Sequence, residues 1–184
     1  MSDLYNLFKE RATLAGAEVY RAAGYGEARD RLVTVLRELA ARRVVAVRSP
    51  LVEAIDLGEV AGQSGVTVCF GDWRTSAVEA DVGISELDFA LAETGTLVQD
   101  ATHVGKRLVS MLPPVHIALI RTRNILPSLR QMMGYLAKMD AVPGYVAFIT
   151  GPSRTADIER VLTMGVHGPG RVIIVCVDGG EGSR

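Results

Sequence analysis

Arg43-Val44-Val45-Ala46-Val47 and, some twenty residues on, Val66-Thr67-Val68-Cys69-Phe70 are the stretches that decide the fold. Val44–Val47 is a β-branched run of the kind that forms a buried strand, and Val66–Phe70 is a second one. Between them, residues 50–60 are rich in small and acidic side chains and predict a helix, and Gly62–Gly65 leads into the second strand. Strand, helix and strand in that order mark a parallel sheet with crossover helices. The apolar runs Val115–Ile120, Tyr145–Ile149 and Val172–Val177 fit the same plan. Pro127 suits the first turn of a further helix with Leu129, Met132, Met133 and Leu136 on one face, a spacing that reads as core.

Upstream, Leu4, Phe8, Ala12, Ala15 and Val19 recur at helical spacing and predict an amphipathic helix over 3–20. Gly24 and Gly26 break it, and Ala28, Leu32, Val35, Leu36 and Leu39 predict a second helix over 27–42. The expected fold is α/β: a mostly parallel sheet in three layers with helices on both faces, preceded by an N-terminal helical pair. The expected organisation is a helical extension at 1–42, an α/β domain at 43–178 and a flexible tail at 179–184.

Composition excludes several roles. A chain of 184 residues that is 48% hydrophobic and 22% charged is of globular type, and large enough to bury a core without disulfide or metal. Its formal charge of −1 lacks the basic surface that phosphate backbones demand, so nucleic acid is not an expected partner. Cys69 and Cys176 each lie in an apolar run and read as small buried hydrophobes. Two cysteines are too few for an iron–sulfur cluster, which usually takes four, so any redox chemistry must be carried by a partner or a borrowed cofactor. His103, His116 and His167 are far apart in sequence, and no metal site is expected. His116 reads as a buried, satisfied histidine, and Trp73 as a loop anchor in preference to a lid over a pocket. Asp3, Lys9, Glu10 and Arg11 interrupt any leader-like apolar core, and no apolar run approaches the ~20 residues of a membrane span. The expected location is the cytoplasm. No G-x-G-x-x-G follows a strand, and Gly105-Lys106 lacks the rest of a P-loop.

Two segments carry the candidate chemistry. In Ala92-Glu93-Thr94-Gly95-Thr96, apolar flanks surround a tight polar turn. Gly95 can take a positive φ and bring the backbone close to a ligand. Glu93, projected from such a turn, is placed as a nucleophile or general base. The same residues also read as a solvated hairpin tip in which Thr94 and Thr96 satisfy turn backbone. In Thr150-Gly151-Pro152-Ser153-Arg154-Thr155, a strand, a Gly-Pro turn and hydroxyl residues predict a helix N-terminus with free amides. Such an end attracts anions, and Arg154 adds a planar fork for carboxylate or phosphate. The competing reading is a capped helix and nothing more. Further on, Gly165-Val166-His167-Gly168-Pro169 holds His167 in a tight loop, as a proton shuttle or as a loop hydrogen-bonding group.

Together, Asp81–Ser85, Asp88–Val98, Arg107–Ile120, and Gly151-Pro152-Ser153-Arg154-Thr155-Ala156-Asp157-Ile158-Glu159 with Gly165–Pro169 resemble the LUD-domain family, in its LutC-type lactate-utilisation branch. The resemblance runs from about Val44 onward. It implies a fold like the NagB/RpiA/CoA-transferase group and a part in oxidising L-lactate to pyruvate. It implies a cluster-free subunit that works beside iron–sulfur proteins of the LutA and LutB types, with the clusters on those partners. Glu93-Thr94-Gly95 is also similar to the Glu-Asn-Gly turn of CoA transferases, with Thr in place of Asn.

The leading expectation is an accessory or substrate-binding subunit. Ser153, Arg154 and Thr155, with the backbone at Gly151 and the Thr94–Thr96 turn, would bind a small carboxylate or other anion, and Glu93 and His167 would handle a proton. The alternatives are a free-standing enzyme that acts on an acyl-CoA or a phosphorylated small molecule through Glu93, and a structural scaffold.

Overall fold

The valine runs at 44–47 and 172–177 lie near the middle of the main sheet, because residues buried on both faces must be apolar throughout. The computed structural model describes residues 2–156, 162–164 and 167–179. Helix α1 (Ser2–Leu14) leads into strand β1 (Glu18–Ala22), helix α2 (Tyr25–Glu38) and strand β2 (Arg43–Ala46). Helices α3 (Pro50–Ile55) and α4 (Leu57–Ser64) precede strand β3 (Thr67–Cys69), helix α5 (Trp73–Glu79) and strand β4 (Val82–Glu86). A hairpin of β5 (Phe89–Leu91) and β6 (Thr96–Asp100) follows, then α6 (Val104–Met111) and β7 (Val115–Arg121). After β8 (Ile125–Leu126), α7 (Leu129–Leu136) and β9 (Val146–Ile149) comes the short pair β10 (Arg154–Ala156) and β11 (Leu162–Met164), and β12 (Arg171–Val177) closes the sheet.

Six strands form the main sheet in the order β1-β12-β7-β4-β2-β3, every pair parallel. Helices α2, α3 and α4 cover one face over Val44, Ala46, Ile84, Ile117, Leu119 and Val175. The other face carries α1 over Ala118, Ile120, Ile174 and Cys176, and α5 and α6 over Val45 and Val47. A second sheet, β8-β5-β6-β9, packs on that same face, and α7 closes its far side around Leu91, Val98 and Met132. From β2 the chain moves outward to β3, whereas from β4 it moves the other way to β7. The carboxyl ends of β2 and β4 therefore flank a topological switch point, where open parallel sheets leave a crevice.

The three-layer α/β architecture is as the sequence predicts, and several elements differ. The helix expected over 3–20 ends at Leu14, and Glu18–Ala22 is a strand paired with β12. Val19 is buried in either geometry, so helical spacing could not tell the two apart. Segment 1–42 is thus built into the sheet. The helix expected over 50–60 is two helices, broken at Asp56, whose φ of 62° ends α3 while its carboxylate caps α4. Tyr145–Ile149, expected in the parallel sheet, is an antiparallel edge strand beside β6. Its Tyr145 and Phe148 stay exposed, which a run buried on both faces would not allow. Ser128, not Pro127, caps α7, and only Met132 of its four apolar residues is fully buried; Leu129 and Met133 face outward. The tail expected at 179–184 lies, beyond Gly179, outside the described residues.

Candidate functional site

The two segments singled out in the sequence do meet, and their meeting place is filled by α1. Strands β6 and β9 are neighbours, which sets Thr96 beside Thr150 with hydroxyls 2.8 Å apart. Thr94 donates to the Thr96 hydroxyl at 2.7 Å. Gly95 has a φ of +67°, and a Cβ there would stand 2.2 Å from the Ala12 nitrogen of α1. Gly151 has a φ of +66°, and its Cβ would meet the Ala15 carbonyl oxygen at 2.2 Å. Arg154 donates from Nη2 to that same carbonyl at 2.7 Å, a cation on the unsatisfied end of a helix. The backbone approaches closely here, as predicted, and what it approaches is the chain's own helix.

Among the remaining candidates, Glu93 serves the scaffold. Glu93 is exposed, and its Oε1 accepts from the Leu129 amide at 2.6 Å, at the first turn of α7. The Ala92 and Glu93 amides donate to the carbonyls of Leu126 and Pro127 at 2.8 and 3.1 Å. The anion-binding helix expected after Pro152 is not formed at its start: Arg154–Ala156 is a strand, with Thr155 opposite Thr163. A Gly-Pro-Ser turn marks a change of direction without specifying the element that follows, and Ile158, Val161 and Leu162 set too weak a period to decide it. Residues 157–161, 165 and 166, and the Thr155 side chain, lie outside the described residues. Ser153 donates its amide to the Pro169 carbonyl at 2.9 Å, and His167 is exposed.

A cavity of about 420 Å³ opens beside this segment, lined by Arg107, Tyr145, Phe148, Thr150, Gly151 and Ser153; a more highly charged one lies at the switch point. Residues following β2 and β4 enclose a cleft of about 370 Å³ lined by Arg48, Ser49, Glu86, Asp88 and Lys106 over Val47 and Pro50. Glu86 is fixed: Oε2 accepts from the Leu51 amide at 2.9 Å and Oε1 from Arg121 Nε at 3.3 Å. Asp88 Oδ2 accepts from the Asp100 amide at 2.6 Å, and Lys106 Nζ from α6 stands 4.0 Å from the same oxygen. Burial pushes the Asp88 carboxyl up from its ordinary value, against the pull of the Asp100 amide and Lys106. Asp88 also borders an apolar chamber of about 270 Å³ walled by Phe89, Met132, Tyr135 and Leu136. On the opposite side, Val47, Arg48 and Lys106 border an aromatic chamber of about 420 Å³. The three form a trough across the carboxyl ends of the sheet.

Sequence reasoning passed over Asp88 and Lys106. The signal was present in the rule that ligands gather beyond carboxyl ends at a strand-order reversal. Using it required recognising Val82–Glu86 as a strand and knowing its neighbours. Beneath the trough, Ser85, Gln99 and His116, all fully buried, form a polar pin between β4, β6 and β7. Ser85 Oγ lies 2.9 Å from His116 Nε2, and Gln99 Nε2 donates to Ser85 Oγ at 3.3 Å. Burial holds the imidazole down to about 4, so it stays neutral. No three His, Cys, Asp or Glu side chains among the described residues converge to hold a metal. No helix among them is long and apolar enough to cross a membrane.

Comparisons with known proteins bear on the family and the fold. The family model of the LUD domain matches residues 5–177. A protein named Lactate utilization protein C from Halalkalibacterium halodurans is 32% identical over 183 residues, covering 95% of this chain and 79% of its own. Another of that name, from an Exiguobacterium species, is 44% identical over 108 residues, or 56% of this chain. The match spans about half, 47%, of that relative's length. The crystal structure of a DUF162 family protein from Deinococcus radiodurans superposes with a TM-score of 0.71, at 20% identity, over 96% of this chain and 97% of that one.

Proposed function

Because the chain belongs to the LUD domain family, we propose that it serves lactate utilisation by holding a small 2-hydroxy or 2-oxo carboxylate in the cleft between β2 and β4. The name shared by its relatives supports the pathway. The observation that carries the site is the grouping of Arg48, Lys106 and Asp88 at the switch point. Lys106 and Arg48 meet the ligand carboxylate as charge-assisted donors. Asp88, more readily protonated than a free carboxylate, exchanges a proton with the ligand's hydroxyl. The apolar chamber beside Asp88 receives the methyl group.

Oxidising L-lactate to pyruvate releases two electrons and two protons. In this reading the electrons pass to clusters on iron–sulfur partners of the LutA and LutB types, and this cluster-free chain works with them in the cytoplasm. Glu93 and Arg154 hold α7 and α1 in place, and the trough handles the ligand.

Deleting the gene should abolish growth on L-lactate and leave growth on pyruvate intact. A copy of the wild-type gene should restore growth, and one carrying Lys106→Ala should not. Undiminished growth of the deletion strain on L-lactate would remove this function. The purified chain should also bind pyruvate in a calorimetric titration, and absence of heat would move the ligand off this chain.

A further inference from the structure

The chamber beyond Lys106 has a chemistry that a three-carbon acid does not use. Its walls are Phe70, Trp73 and His103 over Val47, with Arg48 and Lys106 on the border shared with the cleft. The cleft holds two carboxylates, whereas no acidic residue lines this chamber. Phe70 stands 37% exposed directly after edge strand β3, with the Arg48 guanidinium 4.4 Å from its ring centroid. The guanidinium covers one face of the ring as a cation–π pair, and a planar base entering the cavity can stack on the guanidinium or on the exposed part of the ring.

The opposite wall is closely packed. Trp73 and His103 meet edge to face with centroids 4.7 Å apart. Helix α6 presses on the indole at Gly105, where a Cβ would stand 2.6 Å from Trp73 Cδ2. The Trp73 Nε1 hydrogen is buried with no partner among the described residues. A buried donor left unmade costs about 1–3 kcal/mol. The loop that presents both aromatics is strained: Gly71 has a φ of 102° and Asp72, which is not glycine, a φ of 43°. Such backbone persists where the surroundings hold it, and it concentrates at ligand sites.

We propose that this chamber binds a nucleotide, with the base against Phe70 and Trp73 and the phosphate on Arg48 and Lys106. A nucleotide base supplies the planar face, and its phosphate supplies the anion that two adjacent cations call for. A volume of about 420 Å³ lies within the usual 300–1,000 Å³ range of small-molecule sites. Arg48 and Lys106 border both spaces, so the phosphate here and the carboxylate of the neighbouring cleft draw on the same two cations, and Phe70 and Trp73 are what set the nucleotide apart.

Trp73 is the chain's single tryptophan, so its emission reports on this chamber alone. Titrating the purified chain with ADP should change that emission saturably. Adenosine should bind at least tenfold more weakly, and ribose 5-phosphate should leave the emission unchanged. Phe70→Ala, a substitution at a partly exposed site, should weaken ADP at least tenfold while pyruvate binding by calorimetry stays as in the wild type. An emission that does not respond to ADP, or an ADP affinity equal in wild type and Phe70→Ala, would overturn the proposal. Loss of ADP binding with pyruvate binding intact removes the nucleotide and spares the carboxylate reading. Pyruvate without heat while ADP still binds does the reverse.

Discussion

The seat of α1 and the trough over β2 and β4 are built from similar residues and come to opposite ends. Each has an arginine, hydroxyl side chains, a carboxylate and tight turns. In the seat, Arg154 is satisfied by the Ala15 carbonyl, and Gly95 and Gly151 lie against the backbone of α1. In the trough, Arg48 only stacks on Phe70, and Lys106 stands 4.0 Å from Asp88, too far for a hydrogen bond. Glycine and arginine in a turn therefore announce close approach, and the topology decides whether a ligand or the chain's own helix arrives.

The sharpest way to break this contrast is Gly95→Ala. The new Cβ would stand 2.2 Å from the Ala12 nitrogen and 2.6 Å from its Cα, on a backbone already at positive φ. Neither the hairpin nor α1 can yield without uncovering Phe8 and Ala12, both fully buried. We expect a loss of about 4 kcal/mol in urea unfolding, at the upper end for a single substitution. A loss under about 1 kcal/mol would mean that α1 is not seated as described.

The polar pin links the two regions, because Ser85 immediately precedes Glu86 and Gln99 lies between Thr96 and Asp100. His116 stays neutral in the fold down to about 4, against an ordinary value of 6.5. Between those values the unfolded chain takes up the proton first. Stability is then fully present above pH 6.5 and is lost as pH falls toward 4, by about 3 kcal/mol. Replacing His116 with Gln should flatten that window. Urea midpoints at a series of pH values would test this, and a variant with the wild-type slope would assign the acid sensitivity to other groups.

Much of the main sheet could be read from the sequence, because β2, β7 and β12 are buried on both faces and must be continuously apolar. The second sheet was harder. Tyr145–Ile149 is as apolar as a central strand, yet it is an edge strand with Phe148 outward, and composition does not record a neighbour's absence. Strand β1 was hidden because its buried residues, Val19 and Ala22, stand three apart, a spacing that also fits an amphipathic helix. The convergence of Thr96, Thr150 and Arg154 was legible as tightness, but its occupant was not, since α1 comes from the far end of the chain. Asp88 and Lys106 gave no local motif at all. Their meaning depends on the reversal between β2 and β4, which exists only once the strand order is known.

Arg154→Ala is the smallest change and the most informative about that difference. Its guanidinium reaches an exposed helix end, where one charge-assisted hydrogen bond and the dipole are together worth about 1 kcal/mol or less. The substitution should therefore lower urea stability by no more than that and leave the pyruvate titration where the wild type has it. Lys106→Ala should do the opposite, weakening pyruvate about tenfold, the loss of one charged hydrogen bond, with stability nearly untouched. The two variants together form a crossed test. If Arg154→Ala weakened pyruvate and Lys106→Ala did not, the ligand would belong to the seat, and α1 would have to leave it for binding to occur. That outcome would carry its own mark: pyruvate would then destabilise the docking of α1, and Gly95→Ala, which loosens the same helix, would bind pyruvate more tightly than the wild type.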